Sequence, residues 1–264
     1  MCATCGCGND DGAVISVPPE HHDHGHSHPH DHDHSHQHLP HTETVSLEQK
    51  VLAKNDREAA LIRAWLEARD ILTFNITSSP GSGKTTLLER TIRDLTGTRP
   101  IAVIEGDQET LLDANRIKAT GCPVVQVNTG AGCHLDAAMM RRALDALQPA
   151  AGSLLFVENV GNLVCPALFD LGERGKVVVI SVTEGSDKPL KYPHMFAAAQ
   201  LVIVNKLDLL PHVDFDLEAC ARHARSINPG VELLPLSATT GDGVIDWYTW
   251  INAQFTHPSD SSDR

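Results

Sequence analysis

Ser78-Ser79-Pro80-Gly81-Ser82-Gly83-Lys84-Thr85 brings together the residue types that hold a polyphosphate. Gly81 and Gly83 let the backbone, through Ser82, turn its N–H groups inward around phosphate oxygens. Lys84 has the reach for the β- and γ-phosphates, the Thr85 hydroxyl is a ligand for Mg²⁺, and Thr86 carries the lining into the following helix. The usual pattern opens with Gly, and this one opens with Ser78. Farther along, Asn205-Lys206-Leu207-Asp208 follows an apolar run. The Asp208 carboxylate can accept from both the N1–H and the 2-amino group of guanine, whereas adenine has no donor at either place. A desolvated carboxylate left unpaired costs on the order of several kcal/mol, enough for strong selection. Lys206 would lie along the base, and Ser237-Ala238, after the last apolar run, would offer backbone N–H to the guanine oxygen. Together these segments predict GTP. A small-molecule kinase on the same loop is the rival that Asp208 argues against.

Two acidic segments complete the candidate chemistry: Glu105-Gly106-Asp107-Gln108 and Glu158-Asn159-Val160-Gly161-Asn162. Mg²⁺ takes hard oxygen ligands and keeps several waters, so Asp107 and Glu158 are candidate direct or water-mediated partners beside Thr85. Lys84, Thr85, Asp107 and Glu158 form the expected catalytic set, with capping of the next helix as the other reading of Asp107. Gly161 is placed to offer its N–H to a γ-phosphate. Neither segment supplies a convincing water-orienting Gln and no arginine finger is apparent, so slow intrinsic hydrolysis is expected.

Cys2, Cys5 and Cys7 put three thiols within a short hook, and Gly6 permits the turn that lets the last two converge. With a terminal amine as fourth donor, the set suits square-planar Ni²⁺ or tetrahedral Zn²⁺. Behind it, His21, His22, His24, His26, His28, His30, His32, His34, His36, His38 and His41 offer imidazoles at mostly alternating positions, a composition suited to storing nickel. Cys133-His134 and Cys165 follow two different apolar runs, so they could converge near the nucleotide or across a symmetric dimer interface. Cys122 and Cys220 have no neighbouring donor and read as packing residues.

The elements that must position these groups begin after a compositional break. Of the 264 residues, the first 45 hold 7 of the 34 acids and 11 of the 16 His, with no Lys or Arg. Residues 1–8 read as the Cys-rich hook, 9–45 as a disordered metal-binding segment, 46–256 as one P-loop domain and 257–264 as a disordered tail. A capping box at Ser46 and Gln49 starts a helix that runs to Asp70. Strands are expected at 71–77, 101–105, 124–128, 154–157, 177–182, 201–205 and 232–235, alternating with helices at 84–95, 109–119, 134–147, 215–226 and 243–253. That alternation specifies an α/β fold: a mostly parallel sheet of about seven strands with helices on both faces and ligands at the strand carboxyl ends. The net charge of −13 disfavours nucleic acid. No apolar run is long enough for membrane insertion and no signal peptide is evident, so a cytoplasmic protein with reduced thiols is expected.

The ordered set CATCGC, His tract, SSPGSGKTT, EGDQ, NTGAGCHL, ENVGNLVCP, EGSDKPLKYP, NKLD and SAT resembles the HypB family of hydrogenase nickel-incorporation GTPases, in the SIMIBI class, over essentially the whole chain. The resemblance implies that Cys2, Cys5 and Cys7 are a high-affinity nickel site and that Cys133, His134 and Cys165 are a nickel or zinc site in the GTPase domain. It further implies a nucleotide- and metal-linked homodimer that works with a HypA-type metallochaperone and delivers nickel to the hydrogenase large-subunit precursor. A nickel buffer with incidental GTPase activity and a urease-type delivery GTPase are the alternatives.

Overall fold

The computed structural model describes residues 41–107, 112–130 and 132–256. Cys2, Cys5, Cys7, the His tract up to His38 and the segment 257–264 lie outside the described residues.

Short β-branched runs form seven strands: β1 (Leu72–Ser78), β2 (Ile101–Asp107), β3 (Val124–Asn128), β4 (Leu154–Glu158), β5 (Gly175–Ser181), β6 (Ala199–Asn205) and β7 (Glu232–Pro235). Their order is β3-β2-β4-β1-β5-β6-β7, and every pairing is parallel. All carboxyl ends therefore share one edge. β1, β4 and β5 are buried at every position, as expected of strands covered on both faces.

The longer amphipathic segments supply that cover. On one face, α2 (Lys84–Leu95) and α8 (Val244–Thr256) set Leu87, Leu88, Trp247 and Ile251 against Phe74, Ile76, Phe156 and Ile203. The opposite face is covered by α1 (His41–Glu67) and α4 (Ala137–Leu147), whose Ala59, Ile62, Met140 and Leu144 meet Ile104, Leu155 and Val157. Beside them, α6 (Pro193–Ala198) and α7 (Leu217–Ile227) pack Phe196 and Cys220 on Val178, Ile180 and Val202. α3 (Leu112–Ala119) and the single turn α5 (Lys188–Lys191) complete the helices among the described residues. Cys122 and Cys220 are buried, and burial pushes each thiol up to about 11, which suits the packing role.

Several boundaries differ from the periodicity. α1 starts at His41, directly after Pro40, so the Ser46 pair lies inside it and is not its cap. The helix expected at His134 starts at Ala137 because Asp136 caps it, accepting from Met139 N at 2.7 Å. That leaves Cys133 and His134 in a loop. Asp107 closes β2, and the described part of α3 begins at Leu112. The turns at Cys165–Ala167 and Leu207–His212, and α5 and α6, are too short to show a period.

α1 is fastened by buried Asn55, which donates to Asp170 O at 2.8 Å and accepts from Ala137 N at 2.9 Å. Next to Asp170, Gly172 has φ +80°, and a Cβ there would stand 2.7 Å from Ala59 O and from Ile62 Cγ2. Gly172→Ala is expected to lower stability by about 2 kcal/mol or more, read from urea denaturation.

Candidate functional site

β1 delivers the chain into the phosphate loop, where Gly81 (φ +72°) and Gly83 (φ +94°) adopt the left-handed conformation that turns N–H groups inward. The Asn205-Lys206-Leu207-Asp208 segment braces this loop from the end of β6. Asn205 Nδ2 donates to Ser82 O at 2.9 Å, and Lys206 Nζ donates to Gly81 O at 2.7 Å. Lys206 is itself left-handed, with φ 62°, which turns the chain so that Asp208 enters the first turn after β6. The Asp208 carboxylate accepts from Ser237 Oγ. In the Ser237-Ala238 backbone, Ser237 N donates to Asp242 O at 2.8 Å and Ala238 N to Asn205 Oδ1 at 3.0 Å. Both donors expected for guanine are thus engaged within the protein, because the loop from Ser237 to Gly243 closes on itself. The Thr86 hydroxyl accepts from Arg116 Nη2 at 3.0 Å.

Lys84 and Thr85 meet β4. Thr85 Oγ1 donates to Glu158 Oε1 at 2.6 Å, and Lys84 Nζ stands 3.6 Å from the same oxygen. Glu158 is fully buried, and burial raises its carboxyl above the usual range against the pull of Lys84. A second carboxyl, Glu105, was not singled out by the motif. It pairs in register with Glu158 across β2 and β4 and is 2% exposed. Burial pushes it to about 8, with Glu158, Asp107 and Asp113 adding to the rise and Lys84 opposing it. A Glu inside a buried apolar strand was its signal in the sequence. Glu105 Oε2 and Glu158 Oε2 have no hydrogen-bond partner among the described residues. Two buried carboxyls with orphan oxygens beside a hydroxyl fit a hydrated Mg²⁺.

The Glu105 shift has a sign in pH. The folded protein holds a proton that the unfolded chain releases above about 4.5, so this contribution to stability is complete below that pH and is lost as pH rises through about 8. Melting of the nucleotide-free protein across that range is expected to show the decline, and Glu105→Gln to flatten it; an unchanged slope in the variant refutes the assignment.

The candidate metal donors of the GTPase domain come together. Cys133, His134 and Cys165 are half-buried, with ligand atoms all within 4.8 Å of one another. Cys133 Sγ lies 3.7 Å from His134 Nδ1. Their loop crosses the end of β2 because Gly106 has no side chain: a Cβ there would sit 2.9 Å from Leu135 Cδ1. Phe169, not foreseen, covers the imidazole with ring centroids 4.0 Å apart. Burial lowers the His134 pKa, with Asp136 opposing, so the ring is neutral and ligand-competent at pH 7. Between this site and the phosphate loop runs the 158–165 segment. A Cβ on Gly161 would be 3.3 Å from Pro80 Cα, so Gly161 lies against the loop. From the end of β5, Lys188 Nζ donates to Ser79 Oγ at 3.1 Å and pairs with Glu184 at 2.9 Å.

The family model described as CobW/HypB/UreG, nucleotide-binding domain, matches residues 72–235. The chain belongs to this family. Within it the similarity lies on the HypB side. The hydrogenase maturation factor HypB of Azotobacter chroococcum mcd 1 is 59% identical over 216 residues, 82% of this chain and 71% of the relative. That of Escherichia coli K12 is 57% identical over 210 residues, 80% and 72% of the two chains. Among solved structures, HypB from Helicobacter pylori in complex with nickel aligns with TM-score 0.73 and 34% identity, covering 80% of this chain and all of that one. HypB from Archaeoglobus fulgidus aligns with TM-score 0.72 and 37% identity, covering 77% and 99%. The CobW/HypB/UreG match spans β1 to β7, so the nucleotide loop, both carboxyls and the Cys133-His134-Cys165 cluster all fall inside it. Among the described residues no helix is long and apolar enough to cross a membrane.

Proposed function

We propose that this chain is a GTP-hydrolysing nickel metallochaperone of hydrogenase maturation. The observation that carries this reading is the shared segment 158–165: it begins at the carboxyl beside Thr85, passes Pro80 at Gly161 and ends at the thiol of Cys165. GTP is held by the phosphate loop and selected at Asp208. Lys84 and Thr85 stabilise the charge that develops on the phosphates, and Mg²⁺, held by Thr85 with Glu158 and Asp107, supplies further neutralisation when bound. Nickel is the cargo. Two thiols and a neutral imidazole suit Ni²⁺ and equally Zn²⁺, and the relatives named for hydrogenase maturation, one solved with nickel, favour nickel.

Three protein donors leave coordination positions open, and half-exposed Val164 and Leu168 flank Cys165. Both features favour a metal- and nucleotide-linked homodimer through this face. A HypA-type metallochaperone, the large-subunit precursor as acceptor and a cytoplasmic setting complete the proposal, with Cys2, Cys5, Cys7 and the His tract as nickel suppliers. The test loads the full chain with Ni²⁺ and follows transfer to a chromogenic chelator and to metal-free precursor. GTP is expected to accelerate release relative to a non-hydrolysable analogue; equal release with both removes the delivery role and leaves a buffer.

A further inference from the structure

We propose that Asn162 is the positioning residue through which the nucleotide state sets metal affinity, by holding both halves of the Cys133-His134-Cys165 site from one side chain. The proposal rests on the delivery reading above and deepens it. Asn162 Nδ2 donates to Cys133 O at 3.2 Å, on the loop after β3. Its Oδ1 accepts from Val164 N at 2.8 Å, next to Cys165. One amide thus ties two segments that come from non-adjacent strands, since β2 lies between β3 and β4. The neighbouring residue in the chain is Gly161, which lies on Pro80 of the phosphate loop and whose N–H has no hydrogen-bond partner among the described residues.

These contacts make a short mechanical path. If the Gly161 N–H takes a γ-phosphate, it has an acceptor with GTP and none with GDP, so the 160–161 peptide that carries it has a different preferred position in the two states. Asn162 follows that peptide directly, its own N–H donating to Val160 O at 2.7 Å. A shift there moves Cys133 and Cys165 relative to each other, and ligand spacing decides how well a small cation is held. Asn159 anchors the segment behind the hinge. It accepts from Leu135 N at 3.3 Å and Val160 N at 3.0 Å and donates to Asn75 Oδ1 at 3.2 Å, so motion is confined to the residues after Val160. The rest of the cluster is held from below: Lys176 Nζ donates to Phe169 O at 2.9 Å, fixing the residue whose ring covers His134.

The path differs from a purely structural role in what it predicts. A structural defect weakens metal binding by the same factor in every nucleotide state, whereas a lost coupling removes the difference between states. Linkage requires the effect of nickel on nucleotide affinity to shrink by the same factor. Asn162→Ala removes both hydrogen bonds. Asn162→Asp is nearly isosteric and keeps the acceptor for Val164 N while losing the donor to Cys133 O, so it serves if the alanine variant does not fold.

The experiment titrates Ni²⁺ into the full chain with residues Cys2, Cys5 and Cys7 changed to Ser, followed by thiolate-to-nickel absorption, with GDP and with a non-hydrolysable GTP analogue. The protein with Asn162 intact is expected to show affinities that differ by about fivefold or more between the two nucleotides, the usual size of such coupling. Both Asn162 variants are expected to bring the two affinities to within about twofold of each other. Variants that retain the full difference, or that lose affinity equally in both states, overturn the role of Asn162 and leave the delivery reading standing. No difference with Asn162 intact overturns both.

Discussion

Replacing Lys84 with Ala is expected to reduce GTP turnover by at least about a hundredfold, the usual effect of removing one donor that stabilises transition-state charge. The Lys84 side chain is only 13% exposed, and its ammonium stands 3.6 Å from Glu158 Oε1. A γ-phosphate entering the loop presents more negative charge than one buried carboxyl, so the ammonium is poised to transfer to it. In the variant the buried pair Glu105 and Glu158 loses the cation that opposes their proton uptake, so both hold protons to higher pH. The fold survives that change because the protonated forms are the ones burial favours. Phosphate release under single-turnover conditions checks the rate, with circular dichroism confirming the fold. Turnover within about tenfold of the parent protein refutes the role. Hydrogenase maturation in cells carrying Lys84→Ala should fail, and survival would favour the buffer.

Asp208→Asn is expected to weaken GTP and GDP binding by about a hundredfold or more while improving xanthosine nucleotides. Two hydrogen bonds to an ionised carboxylate are worth about 1.5–3 kcal/mol each, and each 1.4 kcal/mol is tenfold. Asparagine keeps one oxygen acceptor and turns the other position into a donor. That donor opposes the guanine 2-amino group, also a donor, and donates well to the 2-oxo group of xanthine. The choice of Asn over Ala matters structurally: the side-chain oxygen can still accept from Ser237 Oγ, so the loop that carries Ala238 stays closed. Competition of the two nucleotide families against a fluorescent GDP gives the ratio. Unchanged preference for guanine would show that the base is read elsewhere, and comparable ATP and GTP affinities in the parent protein would reopen the kinase reading.

The phosphate loop and the Asn205–Asp208 segment were legible because their chemistry is local: a few consecutive residues carry both the geometry and the reactive groups. Glu105 was not legible as part of the site. Its closeness to Glu158 depends on β4 inserting between β2 and β1, which chain order does not specify. The bonds of the Ser237-Ala238 backbone were hidden for a related reason, since only the closed loop shows Asp242 O and Asn205 Oδ1 accepting from it. The start of α4 was missed because the apolar spacing runs on through Leu135, while the cap at Asp136 decides where helical hydrogen bonding begins. Phe169 carried no signal at all, because its role is to cover a ring thirty-odd residues away in the chain.

By itself the amino-acid order determined the parallel α/β architecture and named the candidate phosphate, base and metal donors, since periodicity and ligand chemistry are properties of neighbouring residues. The tertiary structure alone decided which donors meet. It set two carboxyls side by side in a dry sheet, carried the Cys133 loop over Gly106 to Cys165, and put Asn162 between them. Those outcomes depend on strand order and on close backbone passage, and both follow from how the whole core packs.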